Sequence, residues 1–167
     1  MKPRLDYSEV LPEGLKLINA LDDYSLHCGL EAGLLDLIKL RASQINGCAY
    51  CIDMHSKDAR TGGETEQRLY SLSVWRETPY YTDRERAALA FTEAVTLIAD
   101  RRVPDEVYEQ VRQHFNDEDQ VKLMIGIVII NAWNRFAITF GDVPGSYRPQ
   151  HFATQPRRTN AAREEAA

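Results

Sequence analysis

Hydrophobic residues recur at three- and four-residue intervals from about residue 12 to residue 140, which is the spacing of amphipathic helices. No strand-like alternation of apolar and polar residues extends beyond four residues. The pattern therefore predicts an all-α fold, a single-domain bundle of about seven helices. The predicted helices begin after Pro12, at Leu34, near Cys48, near Glu66, at a capping box formed by Thr82 and Glu85, at Pro104 and at Asn116.

Two of these helices differ in the burial that their patterns predict. The first carries an apolar stripe formed by Leu17, Leu21, Tyr24 and Cys28. We expect this stripe to face the core, because its members share one side of a helix. The second, at residues 34–45, is apolar almost all round, which is typical of an interior helix, and it ends at the turn sequence Asn46-Gly47.

Composition and charge narrow the class of protein. The chain has 167 residues, 44% of them hydrophobic and 27% charged, with a formal net charge of −5. This acidic balance argues against a nucleic-acid-binding protein, which would need basic side chains to neutralise phosphates. The longest apolar run, Leu123 to Ile130, is far shorter than the roughly 20 residues that cross a bilayer. Since no secretory signal is apparent, we expect a cytoplasmic protein with reduced thiols and no membrane partner.

The charge is unevenly distributed along the chain. Residues 143–167 contain four arginines, two glutamates and three of the seven prolines, and the helical apolar spacing stops after Phe152. We therefore predict an all-helical domain at residues 1–142 and a basic C-terminal arm at residues 143–167. The arm is either a disordered tail or an extended segment that packs on a neighbouring subunit.

The most informative short motif is Cys48-Ala-Tyr-Cys51 followed by His55. If a helix begins at Cys48, both sulfurs lie in its first turn, where the helix dipole stabilises a thiolate and lowers the thiol pKa. His55 is four residues after Cys51 and shares its helical face. An imidazole in reach of a thiol can accept its proton, which activates a cysteine nucleophile. The motif therefore predicts a redox-active dithiol with a histidine base.

Asp36 is the only acidic residue in the apolar stretch from Leu34 to Leu40, and a buried carboxylate needs a partner. If the two helices fold back on each other at Gly47, Asp36 and His55 lie at heights of about 16 and 12 Å from the turn and can meet. The simpler alternative is that Asp36 neutralises Lys39 or Arg41.

Other interpretations of the cysteines stay open at this point. Cys48, Cys51 and His55 could supply three ligands of a zinc site, whose fourth ligand would come from His27, Cys28, His114 or His151. Cys28 fits the apolar stripe of the first predicted helix, so we expect it to be a small core residue. The pair could also be a regulatory disulfide that senses redox state with little catalytic turnover.

Four segments occur in order along the chain: DLIKLRASQINGCAYCIDMH at 36–55, LSVWRE at 72–77, RERAALA at 84–90 and INAWNR at 130–135. Together they resemble the carboxymuconolactone decarboxylase superfamily, in its alkylhydroperoxidase AhpD-like branch. The resemblance covers about residues 30 to 140. It implies an all-helical subunit that forms a homo-oligomer, commonly a trimer or hexamer, and thiol peroxidase activity with no cofactor.

The resemblance also implies roles for individual residues. Cys51 would be the peroxidatic cysteine, Cys48 the resolving cysteine and His55 the base of the proton relay. The family's relay glutamate corresponds to Asp36, which is one methylene shorter, and Tyr50 stands where the founding alkylhydroperoxidase has a histidine. The substrate would be an organic hydroperoxide, and the reductant a lipoyl or thioredoxin-like dithiol. Lactone decarboxylation is not expected, because the decarboxylases of the superfamily lack the cysteine pair.

Overall fold

The computed structural model describes residues 2–149, and this part of the chain is all-α, with no strand. Eight α-helices and one 3-10 helix follow one another in it, so the predicted fold class is confirmed. The helices are α1 (Tyr7–Val10), α2 (Pro12–His27), α3 (Ala32–Asn46), α4 (Ala49–Thr61), α5 (Glu66–Ser71), the 3-10 helix (Leu72–Glu77), α6 (Asp83–Thr96), α7 (Asp105–His114) and α8 (Asp117–Phe140).

Helix α3 is the interior helix that its sequence predicts. It packs against α4, α6 and α8, and its Leu37 and Ile38 have no exposed surface. Helix α8 crosses it closely at Gly126, where an added Cβ would lie 3.2 Å from Ile38 Cδ1. By length and composition alone α8 could cross a membrane, but Ile127 and other residues of it are buried in the protein core. Burial against α3 and the neighbouring helices accounts for part of the apolar composition of α8, while Val121, Val128 and Ile138 are exposed.

Several predicted helix starts are confirmed by their caps. The Thr82 side chain accepts a hydrogen bond from the Glu85 backbone N–H, and the Glu85 carboxylate accepts one from the Thr82 N–H, which completes the capping box of α6. Asn116 caps α8 by accepting from the Asp119 N–H at 2.9 Å. Helix α7 begins directly after Pro104.

The predicted buried stripe of the first long helix, α2, is wrong for three of its four members. Leu17, Leu21 and Tyr24 are exposed, Leu17 by 75%. Helix α2 instead turns Leu15 and Ser25 inward. The reason is that Asp22, on the side of the helix that carries Leu15 and Ser25, is bonded to Lys39 of α3 and Trp133 of α8. The fourth member, Cys28, is half-buried and packs against the core as expected.

The short helix α1 was not apparent in the apolar pattern. Its Tyr7 donates a hydrogen bond to Asp142 Oδ2 at 2.7 Å, and its ring lies 5.2 Å from the rings of Phe136 and Phe140. These partners follow more than 125 positions later in the chain. A four-residue helix has too few internal hydrogen bonds to be stable alone, so its conformation depends on these contacts.

The first part of the predicted C-terminal arm lies against α4 of the same chain. The Gly145 backbone N–H donates to Asp53 Oδ2 at 3.0 Å, and the Tyr147 hydroxyl donates to Asp58 Oδ1 at 2.7 Å. Residues 143–149 are called the strap below. The rest of the predicted arm, residues 150–167, lies outside the described residues.

The turn between α3 and α4 generates a stability prediction. Gly47 has φ of +70°, a left-handed conformation that a Cβ disfavours, so Gly47→Ala is expected to lower the free energy of unfolding by roughly 1–2 kcal/mol. Gly33, in the first turn of α3, has open space around an added Cβ, so Gly33→Ala should raise it by about 0.5 kcal/mol. Urea denaturation measures both changes, and shifts of the same sign would contradict this description of the turn.

Candidate active site

The turn after α3 places the two cysteines of the motif. Gly47 ends α3, and the Cys48 N–H donates to the Ser43 carbonyl at 3.0 Å, so the chain reverses directly into α4. Cys48 is the N-cap of α4, and its Sγ accepts from the Cys51 N–H at 3.4 Å. Both sulfurs therefore lie at the positive end of the α4 dipole, as the sequence predicts.

Cys48 and Cys51 are joined by a disulfide bond. Cys48 is 1% exposed and Cys51 2% exposed. The bond lies in a small apolar cluster between α3, α4 and α8, formed by Ala42, Cys48, Cys51, Ile130 and Ala137 with Tyr50 and Trp133 packed against it. The structure thus shows the pair in its oxidised form, in surroundings that exclude water.

His55 lies one turn after Cys51 on α4 and is 7% exposed. Its Nε2 is buried and has no hydrogen-bond partner within residues 2–149. The pKa of His55 is lowered to about 3, mainly by burial and also by the positive charge of Lys39, while the negative charge of Asp22 opposes both. The imidazole is therefore neutral at physiological pH, and a neutral imidazole can accept a proton.

The charged groups that act on His55 belong to a buried hydrogen-bonded network that the sequence did not predict. Lys39, 3% exposed, donates to Asp22 Oδ1 at 2.7 Å, and the Trp133 Nε1–H donates to Asp22 Oδ2 at 3.1 Å. Helices α2, α3 and α8 each contribute one of these groups. Because Trp133 also packs against the disulfide cluster, the network adjoins the cysteine pair. It keeps a positive charge in the protein interior next to the site.

The predicted alternative partners of Asp36 are engaged elsewhere. Lys39 is paired with Asp22, and Arg41 Nε donates to Glu93 Oε1 at 2.8 Å. Asp36 itself is half-buried on α3, and its negative charge contributes to the raised pKa of Tyr147 in the strap. Its assignment as the relay carboxylate stays a prediction.

Two residues near His55 were missed by the sequence analysis. Asp58 Oδ2 lies 4.0 Å from His55 Nδ1, and Asp58 Oδ1 accepts the hydrogen bond from the Tyr147 hydroxyl. The spacing of His55 and Asp58, three residues apart on one helix, was available as a signal. No local signal could place Tyr147, which lies 89 residues beyond Asp58 in the chain.

The zinc interpretation finds no cluster in the part of the chain that the structure describes. No group of three histidine, cysteine or acidic side chains there could hold a metal ion. His27 is exposed and its Nδ1 lies 2.8 Å from the Asp23 carbonyl, while the Cys28 thiol donates to the Ser25 carbonyl. Of the other two candidate ligands, His114 is the last residue of α7, and His151 lies outside the described residues.

Comparison with known proteins identifies related sequences and folds. Residues 12–94 match the Carboxymuconolactone decarboxylase family. The chain is 46% identical over 142 residues to the uncharacterized protein YdfG of Bacillus subtilis (strain 168), covering 85% of this chain and 97% of YdfG.

Solved structures show the same fold. A protein of unknown function from Agrobacterium tumefaciens, a candidate antioxidant defence protein AhpD, superposes with a TM-score of 0.85 at 46% identity, covering 87% of this chain and 100% of that chain. An uncharacterized peroxidase-related protein of Ralstonia eutropha JMP134, with an alkylhydroperoxidase AhpD core, gives a TM-score of 0.73 at 24% identity over 84% of this chain and 75% of that one. At that identity the second similarity concerns the fold alone.

The buried histidine predicts an acid-sensitive stability. The unfolded chain takes up a proton on His55 near pH 6.5, whereas the folded protein resists it until about pH 3. Between these values the unfolded state binds more protons, so the free energy of unfolding falls as the pH falls. We expect oxidised wild type to lose up to about 1.4 kcal/mol per pH unit relative to oxidised His55→Asn in this window, measured by urea denaturation. A difference that is constant from pH 6.5 to pH 3 would contradict the low pKa.

Proposed function

Because this chain belongs to the carboxymuconolactone decarboxylase family, in its AhpD-like branch, we propose that it is a thiol-dependent peroxidase that reduces organic hydroperoxides. The observation that carries the proposal is the buried Cys48–Cys51 disulfide on the same helix as His55, whose Nε2 is unpartnered and which lies one turn after Cys51. A dithiol that cycles to a disulfide can transfer two electrons to a peroxide. A neutral imidazole one turn away can accept the thiol proton.

The reaction begins from the reduced pair. His55 Nε2 takes the proton of the Cys51 thiol, and the Cys51 thiolate attacks the terminal oxygen of the hydroperoxide. The O–O bond breaks, Cys51 becomes a sulfenic acid, and the departing alkoxide takes a proton from the His55 imidazolium to leave as an alcohol. The Cys48 thiol then attacks the sulfenic acid, the disulfide forms and water leaves. The peroxide is reduced by two electrons and the cysteine pair is oxidised by two.

The surroundings of the pair support an organic rather than a small polar peroxide. The disulfide lies among apolar side chains, of which Ile130 is buried and Trp133 half-buried. An alkyl group that enters this region would gain hydrophobic contacts, which hydrogen peroxide cannot make. The product disulfide is returned to the dithiol by an external dithiol, of lipoyl or thioredoxin-like type, through a mixed disulfide.

The proposal includes a cytoplasmic location, where antioxidant defence uses reduced thiols, and a homo-oligomer, a trimer or a hexamer. The exposed apolar face of α2, formed by Leu17, Leu21 and Tyr24, supports oligomerisation, because burying it against another copy would remove apolar surface from water. Light scattering of the purified protein measures the number of subunits, and a monomer at micromolar concentration would contradict this part of the proposal.

One observation favours a second candidate function. Both sulfurs are almost completely buried, so a reductant can reach the disulfide only after the protein opens locally. Slow opening would suit a regulatory disulfide, whose oxidation changes the conformation or assembly of the protein, better than a peroxidase with rapid turnover. The two functions differ in whether the disulfide is reduced many times per minute or once per signal.

The proposed function predicts how fast wild type and two variants consume peroxide relative to one another. With excess dithiol and an organic hydroperoxide, wild type should show sustained peroxide consumption, and Cys51→Ser should show none. His55→Ala should lower the rate by about 10²–10⁴-fold, because the thiol loses its base. Peroxide consumption measured with several dithiols checks these expectations.

Cys28→Ser is the matched control, because this residue follows α2 directly and its thiol donates to the Ser25 carbonyl. It should retain wild-type activity. Full activity in Cys51→Ser would contradict the assignment of the attacking sulfur. Wild type that consumes no peroxide with any dithiol would favour the regulatory disulfide, and near-stoichiometric zinc in protein purified without chelators would contradict both thiol functions.

A further inference from the structure

The strap contacts α4, the helix that carries the candidate base. The Gly145 N–H donates to Asp53, the Lys57 ammonium donates to the Tyr147 carbonyl at 3.2 Å, and the Tyr147 hydroxyl donates to Asp58. The three anchoring residues, Asp53, Lys57 and Asp58, lie on α4. Each is within seven positions of Cys51 and within three positions of His55. The strap therefore holds Tyr147 at a fixed place next to the site.

We propose that Tyr147 and Asp58 are positioning residues for His55: their hydrogen-bonded pair holds the proton of the neutral imidazole on Nδ1 and so leaves Nε2 free to accept the Cys51 proton. This inference rests on the proposed function and deepens it, because it names which nitrogen of the base acts and what orients it. Neither residue belongs to the motif that carries the family resemblance.

The Tyr147 hydroxyl always acts as the donor in this pair. Burial raises the pKa of Tyr147 above its usual value, and the hydrogen bond to Asp58 and the charges of Asp58, Tyr50 and Asp36 raise it further. The phenol therefore stays protonated throughout the physiological range. Its hydroxyl binds Asp58 Oδ1 at 2.7 Å, which fixes the carboxylate so that Oδ2 remains on the side of the imidazole.

The Asp58 carboxylate lies on the Nδ1 side of the His55 ring. Asp58 Oδ2 lies 4.0 Å from His55 Nδ1, a distance that one water molecule or a small side-chain rotation converts into a hydrogen bond. A neutral imidazole has one N–H, and a carboxylate favours that proton on the nearer nitrogen. Nδ1 is therefore the donor nitrogen and Nε2 carries the lone pair.

The other nitrogen of the His55 ring is kept free. Nε2 is buried and has no partner within the described part of the chain, so nothing competes with a thiol for its lone pair there. The other charged groups that act on the ring are Lys39 of α3 and Asp22 of α2, which are bonded to each other. Lys39 disfavours an imidazolium at rest, so the ring stays neutral until the Cys51 thiol transfers its proton, and the thiolate formed in that step stabilises the imidazolium.

The experiment begins with the tautomer of His55, read by ¹⁵N NMR of the oxidised protein, because this measurement does not require peroxidase activity. Wild type is expected to show a protonated Nδ1 and a bare Nε2. Tyr147→Phe removes only the hydroxyl and Asp58→Asn only the charge, and both should give a mixture of tautomers. Tyr108→Phe, at an exposed position on α7, is the matched control and should keep the wild-type spectrum.

Kinetics provide the second measurement. Tyr147→Phe and Asp58→Asn should lower kcat by about 10- to 100-fold with little change in KM, and should slow alkylation of reduced Cys51 at neutral pH. Thermal unfolding of each variant shows whether a lowered kcat comes merely from a loss of stability. Asp36→Asn tests the competing carboxylate: if it alone alters the tautomer, the assignment to Asp58 is wrong.

The outcomes separate this inference from the proposed function. A protonated Nε2 in wild type, or an unchanged tautomer in both Tyr147→Phe and Asp58→Asn, would overturn the inference even if the protein is an active peroxidase. A tautomer that follows the prediction in a protein without peroxide turnover would support the positioning pair and contradict the peroxidase.

Discussion

The whole site depends on one backbone reversal, the left-handed Gly47 between α3 and α4. Because Gly47 ends α3 there, the Cys48 N–H reaches the Ser43 carbonyl and Cys48 becomes the cap of α4. The two cysteines then lie in the first turn of a helix that packs along α3, and His55 lies one turn further along the same face. The position of the disulfide, its burial and the placement of His55 one turn further along α4 are consequences of this turn.

In residues 2–149, nearly all of the buried polar groups are bonded to a partner, so the one buried atom without a partner, His55 Nε2, is informative. Glu93 accepts hydrogen bonds from Arg41, Trp75 and Arg76, and Asn134 donates to Ser43 while accepting from Asn46. Leaving a buried polar atom without a partner costs free energy. Within residues 2–149, His55 Nε2 is the one buried side-chain nitrogen or oxygen without a hydrogen bond, and it lies on the helix face that carries Cys51. The proposed peroxidase mechanism needs a proton acceptor at this position.

Local sequence patterns predicted the helices and the cysteine motif. The features that were missed or wrong depend on contacts between residues far apart in the chain. The seven longer helices, the capping box and the dithiol with His55 all follow from residues within one or two turns of each other. The prediction of which face of α2 is buried was wrong, because Asp22 is bonded to Lys39 and Trp133 and this turns the apolar stripe of α2 outward. Helix α1 and the Tyr147 contact were missed because their partners lie far along the chain. The role of Asp36 remains a prediction, since it rests on resemblance and on helix geometry alone.

The proposed peroxidase requires Cys51 to be the sulfur that reduces the hydroperoxide, and a single turnover of Cys48→Ser tests this requirement. In this variant the sulfenic acid has no resolving thiol next to it, so it should persist long enough to be trapped. After one equivalent of an organic hydroperoxide, mass spectrometry is expected to find one added oxygen atom on Cys51 and one equivalent of the alcohol in solution. Unmodified Cys51, or oxygen added to Cys28 instead, would contradict the claim.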